Sequence, residues 1–309
     1  MMADKKQQLN SSGFIKTIFF GNYFYGLCAV GLAMEANLQQ LYSLNKPLFY
    51  VLLFSCTVLY YTVAYIQAGQ STTNKRLIWY AKNRSFIKRS QLFFYAVTLL
   101  IAAPFIIKNY KAILAMPLYE WLCIAVFPLV AAFYYGIGST PGGKINLRNI
   151  GWLKPFIIGF IWAGVATVYP IIILSVENNK PYEPTLISLF LFIKNMMFVS
   201  VLCIMFDIKD YADDYNRNLK TFVTRVGLRK TIFNILVPLS VLGLGSFLIY
   251  GYTRQFSPMK IFLNTIPFIA MITVAYSMAS RRNIFYYLII IDGLMLVKAV
   301  CGMIAVTYF

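Results

Sequence analysis

Apolar residues run in long blocks along most of this chain, and polar residues gather in short stretches between them. A helix needs about 20 consecutive apolar residues to cross roughly 30 Å of hydrocarbon. Blocks near that length recur at about 14 to 35, 47 to 68, 90 to 107, 114 to 136, 153 to 174, 185 to 206, 231 to 251, 260 to 279 and 284 to 307, with ends set to within roughly two to four residues. This pattern predicts an all-α polytopic membrane bundle of about nine transmembrane helices. One integral-membrane domain would cover residues 1–309, with a short cytoplasmic tail over 1–13. The third and fourth blocks are the weakest pair: Lys108 to Lys111 leave only a tight turn between them and Glu120 interrupts the fourth. Their fusion would give eight spans. The first block contains Lys16, is long for a signal peptide and has no small-residue cleavage site after it, so we expect it to remain as a span.

Composition agrees, with 60% hydrophobic and 12% charged residues where a soluble domain has about 25% charged. Lys75, Arg76, Lys82, Arg84, Lys88 and Arg89 crowd the loop after the second block, and Lys144 and Arg148 follow the fourth. The loop after the fifth carries Glu177 and Glu183 against Lys180. The positive-inside rule then puts the N-terminus and the even-to-odd loops in the cytoplasm. The expected location is the bacterial inner (cytoplasmic) membrane, with membrane lipids as partners. The net charge of +18 reflects this topology and attraction to anionic headgroups. No loop is long enough for a nucleic-acid-binding module, so no nucleic acid is expected as a partner.

The chain has no histidine, which excludes Ser-His-Asp and Cys-His nucleophile pairs and imidazole metal ligands. Cys28, Cys56, Cys123, Cys203 and Cys301 are scattered singly and read as small apolar side chains. STPGGK over 139–144 lacks P-loop spacing and reads as an interfacial turn, although Lys144 is placed to meet an anion.

The strongest chemical signal is DIKDYADDYNRNLK, from Asp207 to Lys220, which puts four of the ten acidic residues just past an apolar block. Asp207, Asp210 and Asp214 are spaced i, i+3 and i+7, so on one continuous helix they fall within about 60° of each other. Arg217 and Lys220 follow within two turns. Carboxylates this close repel unless a cation sits among them, and oxygen ligands suit Mg²⁺ shared with a phosphate.

DIKDYADDYNRNLKTFVTRVG resembles the second aspartate-rich motif of the UbiA superfamily of intramembrane prenyltransferases, matching at Asp207, Asp210, Asp214, Lys220, Thr221 and Gly227. The nine spans and the basic loops after the second, fourth and sixth are similar to that family too. The resemblance implies a bundle around a central lipid-facing cavity that takes a polyprenyl diphosphate. It also implies Mg²⁺ held by Asp207, Asp210 and Asp214 on the diphosphate, and capture of an allylic cation by an aromatic or other acceptor. Apolar walls would exclude quenching water, and aromatic faces would steady the cation.

The family's first aspartate-rich motif has no counterpart in carboxylates: no acidic residue occurs between Glu35 and Glu120. Tyr65, Gln67, Gln70 and Asn74 are the polar residues of that degenerate region, and neutral groups bind Mg²⁺ weakly. Basic residues are the substitutes, with Lys75, Arg76, Lys144, Arg148, Arg217 and Lys220 as candidate diphosphate ligands. Lys194 and Asn195 fall inside the sixth span, and Asp292 and Lys298 inside the ninth are six apart and cannot pair on one helix. Intramembrane charges are costly, so Asp292 and Lys298 must each find a partner elsewhere or snorkel to the interface, Asn195 is placed to border the cavity, and none of these residues is expected to be catalytic. Glu35 and Glu120 are expected near the outer interface. The resulting reading is a Mg²⁺-dependent prenyltransferase; the alternatives are an inactive lipid- or diphosphate-binding relative and a lipid or anion transporter.

Overall fold

The computed structural model describes residues 13–67, 74–135, 150–216, 220–280 and 282–309; the side chains of Gln67, Tyr135, Ala212, Asp213 and Asp214 lie outside that description. Among the described residues every regular element is helical. The chain is α1 (Gly13–Phe20), α2 (Tyr23–Gln39), α3 (Pro47–Gln67), α4 (Lys75–Lys82), α5 (Arg84–Leu114) and α6 (Leu118–Tyr135). Then follow α7 (Lys154–Asn178), α8 (Leu186–Lys209), α9 (Tyr211–Asn216), α10 (Phe222–Val226), α11 (Leu228–Thr253), α12 (Pro258–Ser277) and α13 (Tyr286–Thr307).

Seven of these helices are long and apolar enough to cross a membrane, and α1 with α2, bent by 57°, makes an eighth if the pair is one span. The chain is a multi-pass integral membrane protein. The fourth block is a shorter apolar helix, 17 residues from Leu118 to Tyr134. All nine apolar blocks are therefore helices, but one is bent and one is short. The turn expected at Lys108–Lys111 is a kink: α5 leaves helical geometry at Asn109 (φ −108°, ψ 17°) and continues to Leu114.

The helices group into two compact units. The first takes Met1–Val30 and Asn45–Leu114. In it the α1–α2 break carries Asn22 in the left-handed region (φ 68°), which Asn tolerates better than most residues. Helix α5 leaves Leu92, Phe93, Leu100 and Ile107 exposed, an outward apolar surface of the kind lipid requires.

The second unit takes Gly31–Leu44 and Ala115–Phe309. Phe127 on α6 packs with Val168, Ile171 and Ile172 on α7 in its core. Helix α7 widens into a π turn over Gly164–Val168, and Thr167 within it is engaged by neighbours: Gln40 Nε2 donates to its carbonyl at 3.4 Å and Asn195 Nδ2 to its hydroxyl at 3.0 Å. Glu120, expected at an interface, is fully buried and its Oε1 accepts from the Tyr182 backbone N–H at 2.6 Å.

Candidate functional site

The aspartate motif begins where α8 ends. Its apolar run continues to Phe206, and Asp207 closes it fully buried, so this carboxylate must find a cation or donors inside the protein. Lys154, the first residue of α7, supplies them: its Nζ lies 2.7 Å from Asp207 Oδ1. Close packing of α7 on α8 sets this distance. A Cβ on Gly159 would meet Ser200 Oγ at 2.3 Å and the Met196 carbonyl at 2.5 Å, so only glycine fits that crossing. Farther along the same helix pair, the contact delivers Lys154 to Asp207.

Asp210 lies outside α8 as its C-cap (φ −91°, ψ 6°), its backbone N–H donating to Phe206 O. Its carboxylate is half-exposed and pairs with Lys209 Nζ at 3.1 Å. The chain then starts α9 at Tyr211. The acidic stretch is thus split by a helix break at Asp210, and the 60° edge computed for one continuous helix does not extend to Asp214. Lys220 is exposed, and its carbonyl carbon lies 2.8 Å from where a Cβ on Gly151 would stand. This places the end of the motif beside the segment leading into Lys154. Thr221 is buried and caps α10, accepting from Thr224 N at 3.3 Å.

The second group of expected residues lies in the first unit, around Arg76. This side chain is buried, and each of its three nitrogens is occupied. Nε donates to Phe20 O at 3.2 Å, Nη1 to Tyr65 Oη at 2.8 Å, and Nη2 to Phe19 O and Phe20 O at 3.1 Å each and to Asn22 Oδ1. The guanidinium also stacks over the Tyr65 ring at 4.0 Å. The acceptors are the carbonyls that the α1–α2 break leaves without helical partners. Asn22 Nδ2 in turn donates to Thr62 Oγ1 and Tyr80 Oη, both at 3.0 Å, and Tyr80 Oη donates to Phe20 O at 3.0 Å. Burial pushes the Tyr80 hydroxyl pKa up to about 12, with the Arg76 charge opposing the shift.

The geometry therefore assigns Arg76 to the break in the first span, where it holds backbone carbonyls, and gives Tyr65 the role of its acceptor. Asn74 caps α4, its Oδ1 accepting from Arg76 N at 3.0 Å and Leu77 N at 3.2 Å. Lys75 is exposed. Gln70, Lys144, Arg148 and Arg217, with the side chains of Gln67 and Asp214, lie outside the described residues.

Lys154 is the site residue that sequence reading missed. It opens an apolar run just after Lys144 and Arg148, where the pattern alone does not set it apart from them. The available signal was that a buried carboxylate at the end of one span needs a cation at the facing end of another.

Mg²⁺ can be weighed against the donor set. Among the described residues no three of Cys, Asp and Glu gather within reach of one ion. Asp207 and Asp210 nevertheless offer hard carboxylate oxygens, and Mg²⁺ is typically bound by one or two carboxylates with phosphates and water completing its shell. In kind, the pair fits.

No family model and no curated protein matches this chain. A solved structure is similar to it: that of a digeranylgeranylglyceryl phosphate synthase, studied for structure and mechanism in membranes. The likeness covers 92% of this chain and 94% of that one, with a TM-score of 0.54 and 12% identity. At that identity it shows a shared fold.

Proposed function

We propose that this protein is an intramembrane prenyltransferase of the UbiA type, moving a polyprenyl group from an allylic polyprenyl diphosphate to an aromatic or other lipid-precursor acceptor. The observation that carries the reading is the ion pair of buried Asp207 with Lys154 at the head of the motif Asp207, Asp210, Asp214, Lys220, Thr221, Gly227, in a chain that shares the fold of a digeranylgeranylglyceryl phosphate synthase. The motif marks the cytoplasmic ends of the spans in this reading, with the N-terminus on the same side.

Asp207 and Asp210, with Asp214, would hold Mg²⁺, which supplies charge to stabilise a departing diphosphate. The protein's own part is electrostatic and steric. Lys154 neutralises Asp207 and keeps a partly exposed ammonium beside the motif, while Lys220 adds a second, exposed cation. Apolar spans keep water from the carbocation left after the C–O bond breaks. Arg76 takes no part in holding the diphosphate in this scheme, because its donors are engaged.

The test uses purified protein with farnesyl or geranylgeranyl diphosphate, Mg²⁺ and a panel of phenolic and glyceryl acceptors, with pyrophosphate release as the readout. Release that falls at least about a hundredfold in Asp207→Ala and Asp210→Ala supports the reading. Undiminished release in both sinks the site. A second reading, an inactive diphosphate-binding relative, is favoured by the absence of carboxylates between Glu35 and Glu120. Tight Mg²⁺-dependent binding without turnover on any acceptor would select it.

A further inference from the structure

Thirteen residues before Asp207 on α8, about 20 Å along the helix, Lys194 enters a buried charged cluster built around Glu35. Glu35 Oε2 accepts from Lys298 Nζ at 2.7 Å, and Oε1 lies 3.6 Å from Lys194 Nζ. All three side chains are buried, so one carboxylate serves two ammoniums. A surplus charge within apolar spans is costly unless an anion joins it. Lys194 Nζ makes one hydrogen bond, to Gln39 Oε1 at 2.8 Å, and an ammonium has three protons to give. Gln39 Nε2 then donates to Asn264 Oδ1 at 3.0 Å and Asn264 Nδ2 to Lys260 O at 3.0 Å, so this amide relay is fully directed.

A cavity of about 140 Å³ opens beside Lys194, bordered by Gln39, Asn264, Lys260 and Arg254. Its apolar wall includes Phe190 and Tyr250, stacked at 4.0 Å. Lys260 lies 4.7 Å from the Phe256 ring centroid and Arg254 5.8 Å from that of Tyr250. Among the described residues neither has a carboxylate within 4 Å. Three cations, Lys194, Lys260 and Arg254, therefore line the cavity, and the carboxylate nearest Lys194, that of Glu35, is shared with Lys298. The cavity lies where α2 ends, α8 begins and α11 gives way to α12, the level at which a membrane helix meets headgroups.

We propose that this cavity is an anion site for a phosphate-class oxyanion, either free phosphate or the phosphate of an anionic lipid headgroup. Lysine and arginine supply the charge-assisted donors such an oxyanion takes, and the volume, close to the roughly 150 Å³ of a benzene-sized cavity, is large enough for one headgroup phosphate. The site is separate from the aspartate motif and does not depend on the transfer reaction.

The test is calorimetric titration of the purified full chain in phosphate-free detergent, with sodium phosphate in one arm and dihexanoyl phosphatidic acid in the other. Binding of phosphate identifies a free-anion site, and binding of the short-chain lipid alone identifies a headgroup site. In either case Lys260→Gln and Arg254→Gln, both at the rim, should each weaken binding at least about fivefold while Lys220→Gln leaves it unchanged. Melting of the unliganded rim variants should match the unaltered protein, which separates lost binding from lost folding. The proposal is overturned if neither probe binds, if both rim variants bind normally, or if Lys220→Gln alone abolishes binding.

Discussion

Lys154 Nζ stands 2.7 Å from Asp207 Oδ1, with the carboxylate fully buried and the ammonium still partly open to solvent. The pair joins the start of α7 to the end of α8, so the residue that opens the aspartate motif is also a structural anchor. Loss of either partner therefore combines two effects, and they can be separated.

Lys154→Met should lower stability by up to about 3 kcal/mol, because removing one partner leaves a buried charge without its ion pair. Adding Asp207→Leu should restore more than half of that loss while, on the proposed function, pyrophosphate release stays at least about a hundredfold below that of the unaltered protein. Thermal melting in detergent and the release assay check the two halves. If the double variant is no more stable than the single one, the ion pair is not what the single variant disrupted.

Arg76→Lys should destabilise by about 3 kcal/mol, since a lysine cannot reach Phe19, Phe20 and Asn22 from one planar fork. Its exposed neighbour gives the control: Lys75→Gln should stay within about 0.5 kcal/mol of the unaltered protein. A diphosphate-binding Arg76 would show the opposite pattern, with stability unchanged and KM raised.

Tyr80 gives a pH dependence. Its pKa rises from 10 to about 12 on folding, chiefly through burial. A hydroxyl with a raised folded value contributes stability that is fully present below pH 10 and is lost as pH climbs through about 12. Tyr80 Oη also donates to Phe20 O, a bond that phenolate cannot make. Tyr80→Phe should be less stable at neutral pH and should remove a component on the order of 2 kcal/mol from the alkaline decline, measured by melting between pH 8 and 12.

The helices were legible because lipid imposes one simple requirement, an apolar run of sufficient length. All nine blocks became helices for that reason, and of the two outcomes open to Lys298, a partner elsewhere or snorkelling, the structure shows a partner, Glu35. What the pattern could not carry was local geometry and tertiary pairing. The break at Asp210 ends α8 inside the motif, yet a spacing of i, i+3, i+7 says nothing about where a helix stops. Arg76 looked like a phosphate ligand because the carbonyls it holds belong to residues more than fifty positions away. Glu35 and Lys298 are separated by 263 positions and meet only through folding.

That last pairing yields an asymmetric expectation. Glu35→Gln strands Lys298 and Lys194 together and should cost about 3–5 kcal/mol, the usual loss when a buried charge is left uncompensated. Lys298→Met leaves Glu35 with Lys194 at one charge each, so it should cost distinctly less, and the double variant should fall between the two singles. Gly302 reports on the same cluster by sterics alone. A Cβ there would lie 2.6 Å from Glu35 Cγ and 2.8 Å from its Oε1, so Gly302→Ala must push the carboxylate aside and should cost about 1–3 kcal/mol. Combining Gly302→Ala with Glu35→Gln should cost less than the sum of the two, because both act on one contact. Strict additivity in the melts would show that Gly302 and Glu35 are not coupled, and the close packing of α2 on α13 would then not be what holds the carboxylate on Lys298.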